Sequence, residues 1–176
     1  MSRVSTSSLP GMDEVDRLVA AWRRERPDLD TAPMQVLSRV TRLARHLDRA
    51  RRQAFAAHDL ETWEFDVLSA LRRAGTPYEL SPGRLLHQTL VSSGTMTNRV
   101  DRLVARGLVQ RRPAPDDRRG VLVRLAPAGR RVIDGALDAL LDSERDLLAA
   151  LPARDRDRLG AMLRVVVSPF DEDPHR

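Results

Sequence analysis

Apolar residues recur at helical spacing near both ends of the chain, which is 176 residues long. The first amphipathic stretch places its apolar residues at i, i+3, i+4 and i+7: Val15, Leu18, Val19 and Trp22. A second helix has Asp30 or Thr31 as its N-cap and continues to about His58. Two more amphipathic helices are predicted at the other end, over Pro127–Ala150 and Pro152–Val167. The pattern therefore predicts a mainly helical protein.

The middle of the chain carries shorter helical segments, separated by residues that begin or end helices. One helix covers residues 61–75 and ends at Gly75, because glycine is favoured just past a helix C-terminus. Ser81 caps a short helix that begins at Pro82, and another helix covers residues 92–107.

Strand periodicity follows directly after these helices. Apolar side chains alternate along residues 120–125, residues 108–112 supply a second strand, and residues 113–119 connect the two as a hairpin. A helix, a short helix, a further helix and a hairpin form the order of a winged helix-turn-helix. The fold class expected is mainly α with a small β-hairpin wing, and the second helix of such a motif enters the major groove of DNA.

The helix of residues 92–107, capped by Ser92 or Ser93, has an apolar and a polar face. The side chains predicted to point inward are Met96, Val100, Leu103 and Val104. The candidates for contact with DNA are Ser93, Thr95, Thr97, Asn98, Arg99 and Arg102. Arginine suits guanine, asparagine suits adenine, and threonine suits a thymine methyl group. The alternative for the polar face is simple solvation.

Composition narrows the classes of function. All 30 basic residues are arginine, and the net charge is +5. The absence of lysine can reflect a GC-rich genome or recognition of phosphate by arginine, and the two explanations are compatible. Cysteine is absent and the four histidines are scattered, so neither a thiol nucleophile nor a metal site is expected. We find no catalytic motif, no signal peptide and no apolar run of membrane-spanning length. We therefore expect a cytoplasmic protein that is not an enzyme and needs no cofactor.

Residues from about 35 to 167 resemble the MarR family of bacterial transcription regulators. The resemblance runs through WEFDVLSALRRAG, LSPGRLLHQTL, SSGTMTNRVDRLVARGLV and RRPAPDDRRGVLVRL. Its most specific part is the family pattern DxRxxxVxLTxxG, here DRRGVLVRLAPAG from Asp117. Ala126 departs from this pattern, in which a threonine caps the next helix. The resemblance implies a homodimer that binds pseudopalindromic double-stranded DNA and acts as a repressor that a small ligand releases.

The same resemblance divides the chain by role. Residues 1–11 are expected to form a flexible tail, and residues 12–176 one MarR-type domain. Within that domain, residues 12–58 and 127–168 supply the dimerisation helices, and residues 61–126 form the winged helix-turn-helix.

Three residues of the hairpin tip are further candidates for DNA binding: Asp117, Arg118 and Arg119. Arginine at a wing tip can enter a narrow minor groove, where the negative potential is concentrated. Because the family pattern aligns on Asp117 and Arg119, the resemblance implies that Asp117 braces the loop and that Arg119 makes the main groove contact. A solvated charge cluster is the alternative.

A subset of the family, the HucR/PecS/TamR-like regulators, has an extra N-terminal helix and responds to urate or related small anions. The chain resembles this subset in having the extra first helix, which bears Trp22, and in the type and order of Asp66, Arg73, Arg99 and Arg111. The resemblance implies a ligand site at Trp22, Asp66, Arg73 and Arg111. It also implies that Arg99 is the relay on the DNA-reading helix. Asp66 and Arg73 are seven positions apart, so they lie on one helix face two turns from each other. Arginines would hold the anion, and Trp22 would stack on a flat ring.

Different roles for the same residues stay open. Asp66 and Arg73 can form a structural ion pair, and Trp22 can fill a dimer interface. Carboxylates such as aconitate or citrate are alternative ligands, because arginine binds them and urate equally well. A constitutive DNA-binding protein without any ligand has the same fold and charge.

Overall fold

The computed structural model of the protein describes residues 11–89, 92–114 and 117–171, apart from the side chains of residues 117–119 and 171. The chain divides into two compact units, Met1–Arg49 and Ala50–Arg176. None of the helices in the described ranges combines the length and apolar character that a bilayer span requires.

The first unit contains helix α1 (Glu14–Glu25) and most of helix α2 (Ala32–Ala56). Both helices agree with the periodicity of the sequence. Asp13 caps α1 by accepting a hydrogen bond from the Asp16 backbone N–H at 2.9 Å, and the Asp16 carboxylate accepts one from the Asp13 N–H in return. Arg39 of α2 bonds to both of these carboxylates, so charged groups join the two helices.

Among its described residues, the second unit contains five further helices, which confirm the helical predictions for residues 61–167. They are α3 (Thr62–Arg73), α4 (Pro82–Thr89), α5 (Ser93–Ala105), α6 (Pro127–Leu147) and α7 (Ala153–Asp171). Ser92, one of the two residues expected to cap α5, does so, with its Oγ accepting a bond from the Thr95 N–H. Gly75 and Gly107 have φ angles of +76° and +69°, which favour glycine and end the preceding helices.

A three-stranded antiparallel sheet in the order β1-β3-β2 confirms the predicted hairpin and adds one strand to it. β2 (Val109–Ala114) and β3 (Asp117–Leu125) form the hairpin, and both extend further toward its tip than expected. β1 (Glu79–Leu80) pairs with the base of β3. A strand of two residues has no detectable period, which is why the sequence pattern does not predict it.

Apolar side chains from the last turns of α2, from α3, α4, α5 and α6, and from the sheet form one core. Its completely or almost completely buried members include Phe55, Leu68, Leu71, Leu85, Met96, Leu103 and Ile133. Met96, Val100 and Leu103 are buried as predicted, but Val104 is 38% exposed, so the prediction that it points inward is wrong. The apolar stripe of α5 is narrower than the sequence suggests: Val104 follows Val100 by four positions but lies at the edge of the stripe, where the neighbouring elements do not cover it.

The N-terminus of α6 packs closely against the end of α5. Ala126, at the N-cap, makes no side-chain cap bond, as its sequence implies, but its backbone N–H donates to Leu108 O at 3.0 Å. This contact brings the helix so near that a Cβ on Gly129 would lie 2.1 Å from the same carbonyl oxygen. Only glycine fits at this position.

We predict that Gly129→Ala lowers the free energy of unfolding by about 3 kcal/mol, because the added methyl group forces two backbone segments apart. Gly160→Ala is the matched control. Gly160 lies in exposed helix α7 with open space around its Cα, so alanine should raise stability by up to about 1 kcal/mol. Urea unfolding followed by circular dichroism measures both. A Gly129→Ala protein as stable as the wild type would contradict the close packing.

Candidate functional site

The first two turns of α5 present a polar surface to solvent. Ser93, Thr95, Thr97 and Asn98 are exposed, and Met96 and Val100 on the opposite side of the helix are buried. The Thr97 hydroxyl donates to the Ser93 carbonyl within the helix at 3.2 Å. The Asn98 amide has no hydrogen bond within the described part of the chain and can therefore serve both as donor and as acceptor for a base edge.

Three arginines of α5 point back toward the start of α3 and form a single row, which we call the arginine face: Arg99, Arg102 and Arg106. Their spacing of three and four residues puts them on one side of the helix. Arg99 and Arg102 lie with their guanidinium carbons 5.5 Å and 4.7 Å from the centre of the Trp63 ring. Contact of Arg99 and Arg102 with DNA stays a prediction, and in this structure both are engaged by α3.

Glu61 connects the Trp63 ring to the arginine face. Its carboxylate accepts a hydrogen bond from Trp63 Nε1–H at 2.7 Å and one from Arg102 Nη2 at 2.6 Å. The bond from Trp63, followed by the bond from Arg102, lowers the pKa of Glu61. Glu61 is therefore a carboxylate that fixes the indole and an arginine at once.

The other end of the arginine face is anchored by a buried charge. Glu64, whose side chain is 2% exposed, accepts a bond from Arg106 Nη1 at 2.6 Å and another from the Glu61 backbone N–H at 2.9 Å. Arg106 also donates to the carbonyl and carboxylate of Asp59, each at 2.7 Å. The hydrogen bond to Glu64 raises the pKa of Arg106, so the guanidinium group of Arg106 keeps its positive charge.

An open cleft of about 620 Å³, which we call the α3 cleft, lies beside this network. It is lined by Arg52, Ala56, Leu60, Glu61, Thr62, Trp63, Asp66 and Arg99. Burial raises the pKa of Asp66, although the positive charges of Arg51, Arg99 and Arg73 act in the opposite direction. A half-buried carboxylate that faces arginines repels an incoming anion until the carboxylate is protonated or displaced.

The residues that the resemblance assigns to the ligand site are only partly assembled here. Asp66 and Arg99 line the α3 cleft, and Arg73 lies two turns along α3, with a bond to Ser69 Oγ at 3.3 Å. Arg111 of β2 bonds instead to Asp101 of α5 at 2.5 Å. Trp22 is on α1, in the other compact unit, and its ring is partly exposed.

Sequence reasoning missed Trp63 and Glu61. Trp63 is separated from Arg99 and Arg102 by more than thirty positions, so no local spacing links them. The sequence gives one indirect indication of a role for Trp63. A tryptophan in the first turn of a helix can keep one side of its ring open to solvent and to other side chains.

The three predicted residues of the wing tip, Asp117, Arg118 and Arg119, belong to β3, and their side chains lie outside the described residues. The backbone of β3 pairs with β2 up to Asp117 opposite Ala114, with a register shift between Pro113 and Ala114. The hairpin is therefore long enough to carry those residues well beyond the core.

Comparison with known proteins gives the family. The MarR family profile matches residues 58–120. The HTH-type transcriptional regulator PecS of Dickeya dadantii is 37% identical over 150 residues, which are 85% of this chain and 90% of PecS.

Two solved structures support the same relationship. A mutant of Escherichia coli MarR complexed with operator DNA is similar with a TM-score of 0.62 and 27% identity, over 83% of this chain and 97% of that one. Bordetella bronchiseptica BpsR, whose DNA binding is regulated by 6-hydroxynicotinic acid, has a TM-score of 0.63 and 25% identity, over 78% and 96% of the two chains. With its winged helix-turn-helix and its similarity to PecS over most of its length, the chain belongs to the MarR family of transcriptional regulators.

Proposed function

We propose that the protein regulates transcription by binding double-stranded DNA, with the first two turns of α5 in the major groove. The observation that carries this proposal is the polar, exposed surface of Ser93, Thr95, Thr97 and Asn98 on a helix held in place by its buried side. Recognition helices use the same N-terminal half to read base edges. The similarity to MarR complexed with operator DNA supports this geometry.

The charge of the chain supports the same proposal. A net charge of +5, with arginine as the only basic residue, favours association with phosphate through forked hydrogen bonds. The β2–β3 hairpin would place Arg118 and Arg119 in the minor groove, with Asp117 bracing the tip. A regulator of this kind works where the DNA is, which in a bacterium is the cytoplasm.

We also propose that the protein acts as a homodimer. Helix α2 exposes Val36 and Leu37, and helix α7 exposes Val165, which is 75% exposed, and Phe170, which is 70% exposed. Exposed apolar side chains on each of these helices are typical of surfaces that a second copy covers. A twofold dimer pairs two copies of α5 with two half-sites and so requires a pseudopalindromic operator. We take residues 12–58 and 127–168 as the dimerisation regions of one MarR-type domain.

The ligand that we propose is a small anion, and urate is the first candidate. We propose that the protein represses transcription and that binding of the anion releases it from the operator. The α3 cleft supports this, because it combines the half-buried carboxylate of Asp66 with Arg52 and Arg99. Arg73, Arg111 and Trp22 are the further ligand residues that the urate-responsive subset implies. An anion that displaces Asp66 from Arg99 would act on the helix that reads DNA, which is the coupling between two sites that allostery requires. Similarity to BpsR, whose DNA binding is regulated by 6-hydroxynicotinic acid, supports a ligand-responsive regulator.

Asn98→Ala should weaken binding to the operator by about tenfold, because it removes an amide that can form a bidentate contact with adenine. Fluorescence anisotropy with a duplex from the region upstream of the protein's own coding sequence measures the affinity. Gln110→Ala, which removes an exposed amide from β2, is the matched control and should bind as the wild type does. Equal affinity of the Asn98→Ala and Gln110→Ala proteins would contradict base reading by α5.

Arg119→Ala should reduce operator affinity by at least about tenfold, which corresponds to the loss of one good DNA contact, and should leave the fold intact. The control is Arg131→Ala, which removes one exposed arginine of α6 and therefore the same charge. If both variants bind equally well, the loss reflects net charge alone, and the wing has no part in recognition.

Asp66→Asn should separate ligand binding from DNA release. Loss of the carboxylate removes repulsion of an anion and should tighten binding of urate by about tenfold at neutral pH. Because the neutral amide of this variant no longer attracts Arg99, we expect urate to release less operator from the variant than from the wild type. Calorimetry with urate and a mobility shift with urate, xanthine, aconitate or citrate measure the two properties. Release by urate at wild-type concentration from the variant would contradict this coupling.

A further inference from the structure

We infer that Trp63 is a positioning residue that sets the orientation of helix α5 for DNA reading, acting through Arg99 and Arg102. This inference rests on the proposed DNA-binding function and adds to it a residue that does not itself contact DNA. Three observations carry it: the two guanidinium groups at the indole, the carboxylate that fixes the indole, and the way α5 is supported along its length.

The indole is a platform for two of the three residues of the arginine face. Arg99 and Arg102 have their guanidinium carbons 5.5 Å and 4.7 Å from its centre, which is within the range of cation–π attraction. They are three positions apart on α5 and so lie one turn from each other on the same side. Movement of the ring therefore acts on α5 at two successive turns.

The ring itself is held in one orientation. Its Nε1–H donates to Glu61 Oε2 at 2.7 Å, and the other oxygen of the same carboxylate accepts the bond from Arg102. Trp63, Glu61 and Arg102 thus form a closed triangle of one stacking contact and two hydrogen bonds. An aromatic ring without an N–H, such as phenylalanine, would keep the stacking surface and lose the bond that aims it.

The two ends of the arginine face differ in rigidity. Arg106 is anchored to the buried Glu64, whereas the side chains of Arg102 and Glu61 are 52% and 58% exposed. Exposed ion pairs are weak and adjustable, and a buried pair is costly to break. Helix α5 is therefore fixed near Arg106 and adjustable near Arg99, and Trp63 supports the adjustable part.

The adjustable part is also the one that carries the proposed DNA-reading surface. Thr95 and Asn98 lie within about one turn of Arg99, so a small rotation there displaces the atoms that would meet base edges. A contact with phosphate tolerates such a rotation better than a bidentate base contact does, because a phosphate offers several oxygens as acceptors. Phosphate contacts also carry no sequence information. Loss of the platform should therefore reduce specificity before it reduces binding to DNA in general.

The test compares affinities for two duplexes of equal length: the upstream duplex that the wild type retains, and a scrambled duplex of the same composition. Trp63→Leu should weaken binding of the upstream duplex by about tenfold and leave binding of the scrambled duplex unchanged, as expected for one misplaced base contact. Trp63→Phe, which keeps a ring, should recover about half of the loss on a logarithmic scale. Fluorescence anisotropy at a single salt concentration measures all of these affinities.

Tyr78→Leu is the matched control. Tyr78 also carries two guanidinium groups over its ring, those of Arg72 and Arg130 at 5.1 Å and 5.0 Å, but neither arginine belongs to α5. For Tyr78→Leu, the ratio of the affinity for the upstream duplex to the affinity for the scrambled duplex should equal the wild-type ratio. The ratio does not depend on how much of each variant is folded, because unfolded protein lowers both affinities equally.

Each contrary outcome overturns the inference. An equal loss on both duplexes for Trp63→Leu would show a purely structural residue, and tighter binding of the upstream duplex would show that the α3 platform competes with DNA for the arginines. An unchanged ratio would remove Trp63 from recognition. If the wild type itself does not distinguish the duplexes, the proposed function fails, and this result is separate from any effect of Trp63.

Discussion

Burial of one side of helix α5 is the constraint on which the rest of the site depends. Met96, Val100 and Leu103 are each at most 2% exposed, and burial of each such side chain stabilises the fold by about 1.5–3 kcal/mol. An exposed ion pair such as Arg102–Glu61 contributes much less to the free energy of unfolding, because solvent screens it. Apolar packing therefore decides which side of α5 faces outward, and the charged contacts only adjust its angle within that choice.

The buried Glu64 gives the arrangement its rigid ionic support. A carboxylate without a partner in a core is strongly unfavourable, so the pairing of Glu64 with Arg106 is nearly obligatory once the helices pack. The start of α3, the end of α5 and the α3 cleft consequently share one network. Under the proposed function, a change at Asp66 would act on Thr95 and Asn98 through Arg99, which lines the same cleft as Asp66.

The sequence predicts the fold well because its signals are local. Periodicity, the Ser92 cap and Gly107 define α5, and alternation defines β3; these patterns need no knowledge of distant contacts. The two-residue strand β1 is beyond such signals, because it exists only where β3 offers it a partner. The exposure of Val104 depends on the angle at which α5 packs against the neighbouring elements, and the helical period alone does not specify this angle. The candidate site is less predictable for the same reason, since the positions of Trp63 and Glu61 against the arginine face depend on the packing of two helices distant in sequence.

Hydroxyl-radical footprinting of the upstream DNA with the wild-type protein tests the central claim most directly. A dimer that reads the major groove with two copies of α5 should protect two half-sites whose centres are about 10 base pairs, or a multiple of that spacing, apart. Protection should be lost as salt rises, because bound arginines release counterions from phosphate. Uniform protection without half-sites, or none at low salt, would contradict sequence-specific binding by α5.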